Sequence, residues 1–122
     1  LGDVYKRQPR AFAVTDAMAA AGMADGAYEL GSLPVTVSGG VARVASGAIA
    51  GGTSTLAQQF AGFAARHGLG EAVRFTSTTA ADVVGCKDLG RIAVGACANL
   101  VGLNAQLEPV RVIVGGTEFI HS

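Results

Sequence analysis

The sequence predicts an α/β protein, and three stretches carry that prediction. Residues 12–15 form a short apolar run that stops at Asp16, a pattern typical of a buried strand that ends in a loop. Residues 35–38 alternate valine with threonine and serine, which predicts that the strand over residues 33–37 has one buried face. Apolar residues recur four, seven and eight positions after Leu56, which predicts an amphipathic helix.

Asp16 has two interpretations at this stage. A carboxylate delivered to a loop by the end of a strand is a candidate catalytic group. Aspartate is also a preferred N-cap, so Asp16 can equally serve to cap the short alanine-rich turn that follows. The local pattern leaves both interpretations open.

The glycine-rich residues 47–54 predict a loop that runs into the helix, with Thr53 or Ser54 as N-cap and Gly68 as the end. Such a loop presents backbone N–H groups that can hold a phosphate or a polar sugar substituent. A flexible connection is the alternative. No lysine follows Gly52, so this is not a Walker A loop.

The remaining elements are short. Gly39-Gly40 and Gly115-Gly116 are typical of tight hairpin turns. Strands are predicted at residues 28–30, 33–37, 41–44, 91–93, 100–103, 110–114 and 118–120, and further helices at 71–77 and 80–84. Residues 1–8 show neither helical nor strand periodicity and are predicted to be a non-native or disordered leader.

Composition limits the function. Half of the 122 residues are hydrophobic, and nine basic residues balance nine acidic ones without any block of like charge. The sequence therefore predicts no nucleic-acid or membrane partner. We find no apolar run of about 18 residues and no signal peptide, and so expect a cytoplasmic location.

Cysteine and histidine offer no metal site. Cys86 and Cys97 lack the spacing of a zinc knuckle, so two reduced and mostly buried thiols are expected, with a disulfide as the alternative. His67 is interpreted as a partner for the C-terminus of its helix. His121 is expected at a frayed terminus. No metal ligand is assigned within this chain.

A longer set of motifs resembles the N-acetylglucosamine-6-phosphate deacetylases of the amidohydrolase superfamily. They occur in the same order as in that family. The motifs are residues 14–26, Tyr28-Glu29-Leu30-Gly31, Gly40-Val41-Ala42-Arg43, Gly47-Ala48-Ile49-Ala50-Gly51, and Gly90-Arg91-Ile92-Ala93-Val94-Gly95 with Ala98-Asn99-Leu100.

The resemblance implies a fold. A (β/α)8 barrel needs roughly 200 residues or more, so this chain is expected to be the C-terminal part of such a barrel together with portions of a small β-sandwich. The implied division is a last barrel strand and active-site loop at 9–27, sandwich strands at 28–46, the glycine loop and barrel helices at 47–90, and sandwich strands at 91–122.

The resemblance also implies a function, the deacetylation of N-acetylglucosamine 6-phosphate to glucosamine 6-phosphate and acetate. Asp16 matches the catalytic aspartate, and Ile49, Ala50 and Gly51 match residues that line the substrate site. The family often has serine where this chain has Ala50 and Gly52. A divalent metal, expected to be zinc, would be held by upstream residues that this chain lacks, and the full enzyme would be a homodimer. The alternatives are another amidohydrolase acting on an amide or cyclic amide, and a non-catalytic α+β binding module.

Overall fold

The computed structural model describes residues 11–119 and divides them into two compact units. One unit is Val14–Gln59, and the other combines residues 11–13 with residues 60–119. Helices and antiparallel sheets are both present, which confirms the predicted α/β class. The predicted leader at residues 1–8 and His121 lie outside the described residues.

The unit Val14–Gln59 is built on a four-stranded antiparallel sheet in the order β1-β2-β3-β4. Its first three strands confirm the sequence prediction. The strands are β1 (Gly26–Leu30), β2 (Leu33–Ser38), β3 (Val41–Val44) and β4 (Ile49–Gly51). At the β2–β3 turn, Gly39 and Gly40 both have positive φ, 57° and 72°, as a tight hairpin requires.

The fourth strand replaces part of the predicted glycine loop. Gly47, with φ 86°, donates its N–H to the carbonyl of Val44 over 2.8 Å, and this turn brings the chain back along β3. Arg43 then pairs with Ile49. The prediction of a loop over residues 49–51 was therefore wrong, because a tight turn places the segment at a free sheet edge.

The core of this unit lies under one face of the sheet. Val35 and Val37 are 1% and 3% exposed while their strand neighbours face solvent, which confirms the predicted alternation. Met18, Ala20 and Ala42 complete the buried cluster. The loop that follows Asp16 thus covers the sheet with its own apolar side chains.

The predicted strand at residues 12–15 does not form. Residues 11–16 are irregular, and Val14 is 67% exposed. A strand needs a ladder of hydrogen bonds to a neighbour, and the one β-bridge of this segment in the described structure joins Ala17 to Gly52. An apolar run predicts burial, but it does not show whether a neighbouring strand is available for pairing.

Helix α1 spans Leu56–His67 and ends at Gly68, which has φ 85° as the predicted stop. Its N-cap is Thr55, one or two residues later than predicted. The Thr55 hydroxyl accepts from the Gln58 N–H over 3.2 Å, and the Gln58 side-chain oxygen accepts from the Thr55 N–H over 2.8 Å. This reciprocal capping box fixes the helix start, because Thr55 is the candidate with a glutamine three residues on.

The two further predicted helices are one continuous helical segment. It consists of α2 (Leu69–Val73), a π-helix (Arg74–Thr78) and α3 (Thr79–Val83). Thr78 and Thr79 keep right-handed helical angles, and no proline interrupts the run, so the helix does not break where the sequence suggested. Gly85, with φ 79°, follows its end. Phe60 and Phe63, two of the apolar positions that predicted the amphipathic helix, are half-buried, and Phe63 stacks on Phe75 with ring centroids 4.3 Å apart.

The last three strands of the described chain form a second antiparallel sheet in the order β5-β6-β7. Its strands are β5 (Leu100–Leu103), β6 (Pro109–Val114) and β7 (Thr117–Phe119), with the predicted Gly115-Gly116 turn between the last two. Ile120, included in the predicted last strand, lies outside the described residues. The strand predicted at 91–93 is wrong, since Ile92 is 91% exposed and this segment pairs with no strand of the described structure.

Both cysteines are free, as expected. Cys86 is half-buried, but Cys97 is exposed, so the prediction that both thiols are mostly buried was wrong for Cys97. The burial prediction came from residue type alone, whereas Cys97 lies in an exposed irregular segment before β5. Within residues 11–119, no helix is long and apolar enough to cross a membrane.

Candidate functional site

Asp16 and the glycine-rich stretch, which were predicted separately, lie side by side in the unit Val14–Gln59. The Gly52 N–H donates to the Asp16 carbonyl over 2.6 Å, and the Met18 N–H donates to the Gly52 carbonyl over 3.0 Å. These two bonds form the parallel bridge between Ala17 and Gly52. The candidate catalytic residue is thus fixed next to the candidate substrate residues Ile49–Gly51.

The contact requires glycine because the two backbones approach very closely. A Cβ atom on Gly52 would lie 1.9 Å from the carbonyl oxygen of Thr15. A Cβ on Gly51 would lie 3.1 Å from the carbonyl oxygen of Asp16. The two glycines therefore serve this packing, and the Gly52 N–H already has a protein acceptor.

The backbone of Asp16 is in the left-handed region, with φ 48°. Non-glycine residues adopt this conformation infrequently, and aspartate is among those that tolerate it best. Its side chain is exposed. Among residues 11–119, the Asp16 carboxylate accepts no N–H, and turns rather than a helix follow it, so the geometry does not support the N-cap interpretation.

Ile49, Ala50 and Gly51 occupy the edge strand β4 with different orientations. Successive residues of a strand face opposite sides. Ala50 packs against the core cluster, while Ile49 is 69% exposed on the other side. A contact between substrate and this strand would therefore use Ile49 and the backbone, and the Ala50 side chain would not reach it.

The loop between Asp16 and β1 is tied down by residues that the sequence did not single out. The Gly22 N–H donates to the Thr53 carbonyl over 3.0 Å, and the Thr53 hydroxyl donates to the Gly40 carbonyl. The Asp25 carboxylate accepts the N–H groups of Gly39 and Gly40. These partners are distant in sequence, so no local pattern pointed to them.

Gln59 in helix α1 contacts the segment that precedes Asp16. Its side-chain Nε2 donates to the Val14 carbonyl over 3.3 Å and to the Ser54 hydroxyl over 3.1 Å. The residue is half-buried. Helical periodicity marked the apolar face of α1 and gave no reason to select this polar position.

The described residues do not form a metal site. Within residues 11–119, no group of three or more His, Cys, Asp and Glu side chains converges. His67 packs its ring on Phe63, with ring centroids 4.4 Å apart. A divalent cation held by three or more side chains of this kind therefore does not fit the described part of the chain.

The resolved pKa shifts belong to the other unit. Hydrogen bonds from Arg91 and then Lys87 lower the pKa of Asp82, and a hydrogen bond from Arg111 lowers the pKa of Glu118. The Asp88 carboxylate, which accepts from the Cys97 thiol over 3.1 Å, raises the pKa of that thiol. These are surface interactions within residues 60–119.

Comparison with known proteins identifies a class. The chain is 35% identical over 106 residues to N-acetylgalactosamine-6-phosphate deacetylases from two strains of Escherichia coli, the first of them named putative. It is 34% identical over 109 residues to the N-acetylglucosamine-6-phosphate deacetylase of Vibrio furnissii. Each match covers 84% of this chain, but it covers 64%, 28% and 27% of the three relatives. No family model matches.

Solved structures give the same class. The N-acetylglucosamine-6-phosphate deacetylase of Thermotoga maritima matches 97% of this chain with a TM-score of 0.86 and 33% identity. A mutant of the Mycobacterium smegmatis enzyme, in complex with N-acetyl-D-glucosamine-6-phosphate, matches 98% with a TM-score of 0.84 and 36% identity. The chain corresponds to 34% of each of these structures.

The sequence and structure comparisons agree on one class of relatives, the deacetylases of N-acetylated amino sugar phosphates. Within it, this chain is a homologue of part of the N-acetylglucosamine- and N-acetylgalactosamine-6-phosphate deacetylases, which confirms the resemblance seen in the sequence. It spans 64% of the first relative and about a third or less of the others.

Proposed function

We propose that this chain is part of an enzyme that removes the acetyl group from an N-acetylated amino sugar 6-phosphate, and that Asp16 is its general acid-base residue. One observation carries this proposal. The exposed carboxylate sits on a backbone of φ 48° that the bridge to Gly52 holds in place. Rare backbone conformations held by their surroundings are often found at active sites.

We further propose the domain assignment that the resemblance implied. Residues 9–27 and 47–90 would belong to a (β/α)8 barrel, and residues 28–46 and 91–122 to a small β-sandwich. The close match of 97% of this chain to 34% of a longer solved structure supports this assignment. Catalytic groups of such barrels follow the C-terminal ends of strands. In the complete barrel, residues 12–15 would pair with strands outside this chain and would place Asp16 at such an end.

The proposed reaction assigns two proton transfers to Asp16. The oxygen of a water molecule forms a bond to the acetyl carbonyl carbon, and the carboxylate takes the proton that this water loses. The same proton then passes to the amide nitrogen as the C–N bond breaks. The products are acetate and the free amine, and one general acid-base group can serve both steps in turn.

The substrate would lie along the exposed edge that Ile49 and Gly51 present. Ile49 offers an exposed apolar side chain. The position that a Gly51 side chain would take is already filled by the Asp16 carbonyl oxygen and the Met18 side chain, so Gly51 would contact the substrate through its backbone. Ala50, which packs inward, would support the strand from behind. The phosphate would be bound by residues outside this chain.

The same chemistry needs a Lewis acid, which a divalent cation such as zinc would supply when bound. The described residues do not fit such a cation, so its ligands would come from other parts of a longer enzyme. We also propose that this enzyme is a homodimer, as the resemblance implied, and that it is cytoplasmic, as the sequence predicted.

Two amino sugar phosphates are candidate substrates, and they differ in the orientation of one hydroxyl group. The sequence favoured N-acetylglucosamine 6-phosphate, and the Vibrio furnissii relative carries that name. The two Escherichia coli relatives are named for N-acetylgalactosamine 6-phosphate at a similar identity. Both sugars therefore belong in the first assay.

A chimeric enzyme tests the proposal. Residues 11–119 would replace the matching segment of the Thermotoga maritima enzyme, which aligns with 97% of this chain. Acetate release would be measured with both amino sugar phosphates and with a cyclic amide as the alternative amidohydrolase substrate. We expect release from at least one amino sugar phosphate. A folded, metal-loaded chimera active only on the cyclic amide, or inactive on all three, would contradict the proposal.

A further inference from the structure

We propose that Gln59 is a positioning residue for Asp16, an inference that rests on the proposed function. The Gln59 side chain donates from a single Nε2 atom to the Val14 carbonyl over 3.3 Å and to the Ser54 hydroxyl over 3.1 Å. Val14 lies two residues before Asp16, and Ser54 lies two residues after Gly52. The Gln59 side-chain amide thus connects the backbone that precedes Asp16 to the residues that follow Gly52.

The Asp16 backbone needs this second support. On its C-terminal side, the Gly52 and Met18 hydrogen bonds form the bridge at Ala17. On its N-terminal side, residues 12–15 form no strand, and Val14 is 67% exposed. Within the unit Val14–Gln59, the Gln59 amide is the side chain that bonds the backbone of this entering segment. Losing it would remove the contact two residues before Asp16, and the nearest remaining backbone hydrogen bond on that side would be the one from the Ala13 N–H to the Phe75 carbonyl.

The position of Gln59 suits this role. It is half-buried in the first turns of α1, whose start is fixed by the Thr55–Gln58 capping box. A helix residue provides a more rigid platform than a loop residue. A small displacement of a catalytic group, on the order of 1 Å, can lower a rate about 100-fold.

Gln59→Met tests the inference in the active chimera, because methionine has nearly the same length but donates no hydrogen bond. We expect kcat to fall about 10-fold to 100-fold with KM nearly unchanged. Gln58→Met is the matched control, since it removes a neighbouring amide that caps the helix and does not contact the Asp16 segment. We expect this control to lower stability and leave kcat close to the parent value.

Two further measurements separate positioning from a structural role. In Gln59→Glu, a protonated carboxyl can again donate to the Val14 carbonyl, so its kcat relative to the parent should recover as pH falls toward about 4.3. In an Asp16→Asn background, Gln59→Met should cause little further loss of kcat, because the two residues act as a unit.

Hydrogen exchange at the Met18 and Gly52 amides tests the same inference without activity. Gln59→Met should speed exchange at both amides, and Gln58→Met should not. Equal kcat and equal exchange in the two methionine variants would overturn the role of Gln59. If the parent chimera is inactive but exchange behaves as expected, the positioning contact stands and the proposed function fails.

Discussion

The backbone N–H of Gly52 donates to the backbone carbonyl of Asp16 over 2.6 Å. A second bond, from the Met18 N–H to the Gly52 carbonyl, completes the bridge that holds Asp16. A left-handed backbone such as that of Asp16 carries a strain of about 1–3 kcal/mol in general. The direction of the Asp16 carboxylate therefore depends on a glycine far along the chain. Gly52 has a structural reason to be glycine that is separate from any contact with substrate.

The first prediction concerns that glycine. In the chimera, Gly52→Ala should lower the free energy of unfolding by about 1–3 kcal/mol, since the new Cβ would lie 1.9 Å from the Thr15 carbonyl oxygen and the chain must shift. Activity should fall as well, because the shift moves Asp16. Urea unfolding and kcat measure the two effects.

Gly70→Ala is the control for this prediction. A Cβ at Gly70, inside α2, would meet no atom within 4 Å, and alanine there should stabilise by about 0.5–1 kcal/mol. If Gly52→Ala were as stable as its parent, the backbone at Thr15 would move aside without cost. The close contact between Gly52 and Thr15 would then not be a reason for glycine at this position.

The second prediction concerns the start of α1. Thr55→Ala should lower the free energy of unfolding by about 0.5–2 kcal/mol, because it removes one half of the capping box with Gln58. Thr55→Ser keeps the hydroxyl and should behave like the parent. A Thr55→Ala chimera with an unchanged urea midpoint would place the cap elsewhere, at Thr53 or Ser54 as the sequence first suggested.

The third prediction concerns Cys97. Its pKa is raised by the hydrogen bond to the Asp88 carboxylate and by the charge of that group, so a smaller fraction is thiolate at pH 8. In a Cys86→Ser background, Asp88→Asn should speed alkylation of Cys97 by iodoacetamide, measured by mass spectrometry. An unchanged or slower rate would contradict the assigned cause.

The same contact has a pH window. The pKa of Asp88 is lowered, first by its hydrogen bond from Cys97, so the stabilisation is lost as pH falls through that pKa. The pKa of Cys97 is raised, so the stabilisation is lost as pH rises through it. The alkylation experiment at pH 8 therefore lies inside the window in which the contact persists.

The fourth prediction concerns the chain by itself. Several large apolar side chains are more than half exposed, among them Ile92, Val94, Val101 and Phe119. Such surface favours association. We expect the isolated chain to self-associate and to bind a hydrophobic dye, measured by light scattering and fluorescence. A monodisperse 12.1 kDa monomer with one sharp thermal transition would instead favour a self-contained module.

Local chemistry in the sequence was enough to predict the hairpins. Two adjacent glycines at 39–40 and at 115–116 accept the positive φ that tight turns need, and both turns form. The alternation around Val35 also predicted which strand face is buried. These features depend on neighbours in sequence, which a single chain displays directly.

Long-range features were not predictable in this way. The segment 12–15 has the composition of a strand, but no local signal shows whether a partner strand is present, and none pairs with it in the described structure. β4 formed because the turn at Gly47 returned it to β3. The contact between Gln59 and Val14 joins distant positions and has no sequence motif.

The candidate site was predicted as two separate stretches. Asp16 and Ile49–Gly51 were named by pattern and resemblance, and their adjacency emerged from the bridge at Gly52. The sequence also suggested that the glycine stretch offers free N–H groups, whereas the Gly52 N–H is bonded to Asp16. Their roles in catalysis and binding stay predictions.

The measurement that tests the central claim most directly is kcat for Asp16→Asn in the active chimera. Asparagine tolerates the left-handed backbone of Asp16, so the variant should keep the shape of the site and lose its proton transfers. We expect kcat to fall about 10² to 10⁴ fold, with KM and metal content nearly unchanged. Asp25→Asn is the control, because in the described structure its carboxylate accepts hydrogen bonds from the Gly39 and Gly40 N–H groups of the β2–β3 turn, and it should affect stability more than kcat. Near-parental turnover in Asp16→Asn would contradict the catalytic assignment.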